Sequence, residues 1–140
     1  HLSTRRQRQM CIRDRPCIME PFSVESWLAS DDEDVWTGMM KRVAAFHHKH
    51  DFAGNNGHDM GYRIALTVEE LGELAAAITK NKPIEEVAEE MADVLILLMG
   101  HSLAMNIDLK ASFEAKVDKI MQRPSRKGRL GIRVTEYTDS

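Results

Sequence analysis

An all-α fold, a four-helix bundle, is what this sequence predicts, and three observations carry that expectation. Apolar residues recur at helical spacing through four segments between Asp34 and Gln122. Turn-forming residues separate those segments, and no strand-rich stretch occurs between them. The connections are also short, which favours antiparallel neighbours.

The first helix is expected from about Asp34 to His50, with Val35, Met39, Val43 and Phe46 in helical period and Asp31 and Asp32 as capping candidates. The run Asp51-Phe-Ala-Gly-Asn-Asn-Gly-His-Asp59 then breaks it, because Gly and Asn favour turns. A second helix follows from about Met60 to Thr79 and stops at Lys80-Asn81-Lys82. Pro83 suits the first turn of a third helix, where its missing N–H costs nothing, and that helix reaches about Met105. Asp108 is a good cap for a fourth, to about Gln122, before Pro124 ends the regular part. The tail containing Leu130-Gly-Ile-Arg-Val-Thr-Glu-Tyr137 reads either as a short strand or as an arm over a neighbouring subunit. The third helix is apolar around much of its circumference near Val94-Leu-Ile-Leu-Leu-Met99, which places it centrally in a bundle or in an oligomer interface. A body of this size is expected to complete its bundle as a homodimer or higher homo-oligomer.

Residues 1–18 stand apart. They are Arg-rich without a helical or strand period, and Met10-Cys11-Ile12-Arg13-Asp14 resembles a translated library adapter. The alternative is a natural basic arm for anions or nucleic acid. We expect the artefact, a domain over 19–124 and a tail over 125–140. Taking five arginines and one aspartate from 19 basic and 22 acidic side chains leaves 14 and 21, a net charge of −7. Such an acidic body is not expected to bind nucleic acid broadly. Cys11 and Cys17 both fall in the excluded part, so the body offers neither disulfide nor zinc-thiolate site. No apolar run approaches the roughly 20 residues that span a bilayer. A cytoplasmic protein without a membrane partner is the expectation.

The chemistry lies in an internal echo. Shifted by 20 positions, Glu69-Glu70-Leu71-Gly72-Glu73-Leu74 falls on Glu89-Glu90-Met91-Ala92-Asp93-Val94. The apolar stripe Ile64, Val68, Leu71, Leu74, Ala75, Ile78 likewise falls on Ile84, Ala88, Met91, Val94, Leu95, Leu98, and each stripe is expected to face the core. Glu70 and Glu90 then occupy the same flank of their stripes, with Glu73 and Asp93 one turn on. A solvated helix surface would explain any one such acidic cluster, since Glu is a good helix former. It does not explain two in register with few basic residues at ion-pairing distance along the helices. Carboxylates converging between helices repel, and either take up protons or bind a cation. Hard divalent ions with oxygen ligands suit that need.

Glu69-Glu70-x-x-Glu73 followed by Glu90-x-x-Asp93 resembles the EExxE…ExxD signature of the all-α NTP pyrophosphatases, the MazG-like proteins among them. The likeness runs from about Val35 to Pro124 and includes Ala-Asp-Val-Leu and Phe113-x-x-Lys116…Arg123-Pro124. It implies a four-helix MazG-like bundle and a Mg²⁺ site, with Mn²⁺ as substitute, held by Glu70, Glu73, Glu90 and Asp93. It further implies hydrolysis of a nucleoside triphosphate to monophosphate and pyrophosphate, in nucleotide-pool housekeeping. Glu69 is the candidate catalytic base, or else a solvent-facing acid. Lys116 and Arg123 are candidate phosphate ligands and Lys119 a weaker one, while Ile120 stands where family members often carry Asn.

Two alternatives share the acidic motif: a phosphoribosyl-ATP pyrophosphohydrolase-like enzyme, and a non-catalytic helical module that binds a divalent ion. A di-iron bundle fits poorly, since neither motif supplies the Glu-x-x-His pair. His47, His48 and His50 resemble a metal cluster but sit at a helix C-terminus, where cations favour the dipole. His101 is expected to pack in the bundle. Trp36 and Phe46 could stack a base, though their spacing suits core packing better. The loop Gly54-Asn-Asn-Gly-His58 reads either as a nucleobase cap or as a plain turn.

Overall fold

The computed structural model describes residues 21–31 and 34–136. The readings of residues 1–18 and of Asp32 and Tyr137 lie outside the described residues. Five helices and one hairpin make up the rest: α1 (Val24–Leu28), α2 (Val35–Lys49), α3 (Met60–Thr79), α4 (Ile84–Met105), α5 (Leu109–Met121), β1 (Ser125–Gly128) and β2 (Gly131–Val134). The chain is mostly helical, as the periodicity predicts. Among the described residues no single helix is long and apolar enough to cross a membrane.

Local chemistry explains the boundaries. Asp34 caps α2, accepting from the Thr37 N–H and hydroxyl at 2.9 and 2.8 Å, so the cap is Asp34 and not the expected Asp31 or Asp32. Asp59 accepts from the Tyr62 N–H at 2.8 Å to start α3. Asn81, with φ 54°, turns the chain after it. Pro83 occupies the capping position of α4 rather than its first turn. Asn106, left-handed at φ 56°, ends α4, and its side chain also accepts from the Phe22 N–H at 3.1 Å. The short α1, with Ser23 as its cap, was not anticipated.

The chain divides into two compact units, one up to Ile107 and one from Asp108. In the first, Val24 of α1, Met40, Val43 and Ala44 of α2, and Met99 and Leu103 of α4 form a buried cluster, with Trp27 and Trp36 packed against it. Trp36 thus packs against the core. The expected α2 core stripe needs correction, because Val35, Met39 and Phe46 are exposed. The inward face holds Thr37, Met40, Ala44 and His47, with Val43 alone shared between the two readings.

A second correction concerns α3 and α4. Their strongly apolar stripes were expected inside, yet Ile64, Val68, Leu71 and Ile78 of α3 are 47–64% exposed, as are Met91 and Leu98 of α4 at 58% and 45%. The sides turned toward one another are Arg63, Thr67, Glu70, Leu74 and Ala77, facing Val87, Glu90, Val94, Leu97 and His101, all buried or partly buried. Each set follows three- and four-residue steps, the period of a helix–helix seam. The two run in opposite order, as an antiparallel pair requires.

In the second unit Asp108 caps α5 by accepting from the Ala111 N–H at 2.9 Å. No residue of α5 is buried. After it, β1 and β2 pair antiparallel from Ser125↔Val134 to Gly128↔Gly131, which resolves the tail as a strand. Gly131 turns the hairpin at φ 136°, a conformation that only glycine adopts readily.

Candidate metal centre

Midway along the seam, the ladder of facing residues brings acids together. Glu70 of α3 and Glu90 and Asp93 of α4 each place a carboxylate oxygen within 4.8 Å of the others. Glu70 and Glu90 are partly buried and Asp93 is exposed. Leu66, Leu74, Val94 and Leu97 lie partly buried on the same pair of helices and withhold some of the water that would otherwise screen the charge. No ion pair reaches these carboxylates among the described residues.

The electrostatics register that crowding. The Glu70 carboxyl is pushed above its ordinary value, first by lost hydration and then by repulsion from Asp93, Glu73, Glu90 and Glu69. Three oxygen donors with net negative charge are the donor type that a hard divalent cation takes, and such ions commonly keep waters or phosphate oxygens in their shell. Among the described residues this is the one group of acids, histidines or cysteines so arranged.

The other candidates fall in different places. Glu73 is exposed, one turn beyond Glu70, and stands outside the close group of three while still adding to its negative field. Glu69 is exposed beside Glu70. Lys116 and Lys119 are exposed on α5, in the second unit. Arg123 is ion-paired with Glu136 in that same unit. The histidines form no metal cluster: His48 and His50 are exposed, whereas His47 is 2% exposed and bonds His58 through Nδ1 at 2.9 Å. The loop holding Gly54 to His58 is a series of turns, Asn55 bonding back to the Asp51 carbonyl at 2.9 Å.

Sequence reasoning missed Arg63. This residue is 2% exposed and donates to His101 Nδ1 at 2.9 Å, to the Gly57 carbonyl at 3.0 Å and to the Leu97 carbonyl at 3.3 Å. The signal was its place two turns before Glu70, on the face that the more apolar stripe obscured.

No curated protein and no solved structure matches the chain. The match to a family model begins within α3, just ahead of Arg63, and ends within β1. Residues 62–126, from α3 through α5 and into β1, match the MazG nucleotide pyrophosphohydrolase domain.

Proposed function

We propose that the chain is a Mg²⁺-dependent pyrophosphohydrolase that cleaves nucleoside triphosphates, ribo- or deoxy-, to the monophosphate and pyrophosphate. The observation that supports this most is the set of three carboxylates from two helices within 4.8 Å of one another, inside the matched span. Mg²⁺, or Mn²⁺ in its place, would neutralise phosphate charge and make a water at the α-phosphorus more nucleophilic. Glu70, Glu90 and Asp93 would hold the ion in this reading, and the cation's charge would draw in Glu73 as a fourth acid. Glu69 takes the proton from the attacking water, its exposure keeping it in contact with solvent. Lys116 and Arg123, with Lys119 as a weaker contributor, receive phosphate oxygens. A phosphate must compete with Glu136 for Arg123, so binding there exchanges one anionic partner for another.

The outward stripes of α3 and α4 complete the reading. Ile64, Val68, Leu71 and Ile78 on one helix, with Met91 and Leu98 on the next, are large apolar side chains left exposed in the single chain, the kind of surface that marks an interaction site. A second copy of the chain covers them, and light scattering on the purified protein should return a dimer or larger; an active monomer would overturn that.

The enzymatic test is a panel of ribo- and deoxynucleoside triphosphates with pyrophosphate detection. Turnover is expected with Mg²⁺ or Mn²⁺, none with chelator, and a large loss in Asp93→Asn. Metal-dependent melting without release of pyrophosphate from any nucleotide would favour a binding module instead.

A further inference from the structure

The buried end of the α3–α4 seam is a closed circuit of polar groups. Arg63 has only donors, so the His101 Nδ1 that it reaches at 2.9 Å must be an acceptor. His101 is therefore neutral, with its proton on Nε2, and that N–H donates to Thr67 Oγ1 at 2.8 Å. The Thr67 hydroxyl in turn donates to the Arg63 carbonyl at 2.9 Å. Burial and the adjacent guanidinium both hold His101 below its ordinary pKa, which keeps the circuit in this protonation state. Arg63 also spans to the Leu97 carbonyl on α4.

These are the directional contacts of the seam. Leu74, Ala77, Val87 and Val94 pack without fixing an axial position, because apolar burial is non-directional. Slipping α4 by one residue moves it about 1.5 Å along its axis, enough to break bonds of 2.8 to 2.9 Å. The carboxylates, about one to three turns away, push the helices apart, while Mg²⁺ tolerates little deviation from its preferred geometry. We propose that Thr67 and His101, tied to Arg63, are positioning residues for the metal centre, holding α4 in register so that Glu90 and Asp93 meet Glu70. The inference rests on the metal-binding reading above.

Thr67→Val keeps the branched shape and removes the hydroxyl that joins the helices. In the full chain titrated with Mn²⁺ and followed by electron paramagnetic resonance, Thr67→Val should bind about tenfold more weakly with its helicity retained, as for losses behind a ligand shell. Thr67→Ser, which restores the hydroxyl, should bind as the unaltered protein does. Thr79→Val is the matched control, since its hydroxyl makes the same bond to the carbonyl four residues back, Ala75, on the exposed side of α3. It should leave affinity unchanged. His101→Asn, whose amide oxygen can still accept from Arg63 but cannot reach Thr67, should share the Thr67→Val defect. Unaltered protein that binds Mn²⁺ with no change in Thr67→Val, or an equal loss in Thr79→Val, overturns the positioning role alone. Unaltered protein that fails to bind Mn²⁺ overturns the metal reading and this inference together.

Discussion

The two ends of the α3–α4 seam carry opposite charge problems and answer them differently. At the Arg63 end one cation is buried, and carbonyl and imidazole acceptors on the Gly57 loop and α4 satisfy three of its donors. At the Glu70 end three carboxylates meet without a cationic partner among the described residues. The first arrangement finds its acceptors within the chain itself; the second has no counter-charge among the described residues. Buried polar groups that are fully satisfied specify geometry, whereas an unsatisfied charged cluster stores repulsion. A hydrogen-bonded end beside a repelling one is the pattern expected of the metal site proposed above.

Neutralising one member of the acidic cluster should expose that contrast most sharply. Glu70→Gln removes a ligand and one source of repulsion together. Pyrophosphate release should fall by at least about 10²–10³-fold, the scale for losing one preorganised electrostatic group. Metal-free stability should rise by a few tenths of a kcal/mol or more, as like charges are relieved. Loss of activity accompanied by loss of metal-free stability would mean that Glu70 serves the fold and not an ion.

At the other end, Gly100 has no space for a side chain. A Cβ there would lie 2.1 Å from Arg63 Nη2 and 2.9 Å from His47 Nε2. Arg63 cannot swing aside without giving up its bond to the Leu97 carbonyl. Gly100→Ala should therefore destabilise the protein by about 3 kcal/mol, although alanine is the better helix former by about 1 kcal/mol. Gly38 of α2, with nothing within 4 Å of its added Cβ, makes the comparison: Gly38→Ala should stabilise by up to about 1 kcal/mol. Urea melts of both variants check the difference, and equal effects would remove the argument for a tightly packed lock.

Why the seam was hard to read in the sequence follows from the same contrast. The limits of α3 and α4 were legible, because Asp59, Asn81, Pro83 and Asn106 each carry a specific backbone signal. The echo between Glu70 and Glu90 was legible too, although of the four acids it marked, Glu73 lies outside the close group. The inward face was not. Hydrophobic periodicity selects the most apolar side of a helix, and in α3 that side is Ile64, Val68, Leu71 and Ile78, all exposed in the single chain. The true seam mixes Arg63 and Glu70 with Leu74 and Ala77, and its apolar signal is correspondingly weak. Phe46 and Met39 misled the reading of α2 for the same reason. The five-residue α1 is too short to show any period.

Acid should separate the two ends, because their titrations oppose each other. His47 is held down to about 3, first by burial and then by Arg63 and His58, against 6.5 when exposed. Between those values the unfolded chain binds a proton that the native chain refuses, so stability falls as pH falls. The contribution is complete above 6.5 and is lost on descending toward 3, amounting to about 2 kcal/mol between pH 7 and 5. His101, lowered by burial and Arg63, works in the same direction. Glu70 works the other way, since its folded pKa lies above the ordinary 4.5 and native protein takes up its proton first on acidification, gaining stability. Metal-free protein should therefore lose less stability between pH 7 and 4.5 than the histidines alone dictate, and Glu70→Gln, which lacks the offset, should lose more. Urea titrations of the two at both pH values measure the gap. Stability that stays flat in both would remove the buried neutral histidines from the account, and equal slopes would remove the repulsion at Glu70.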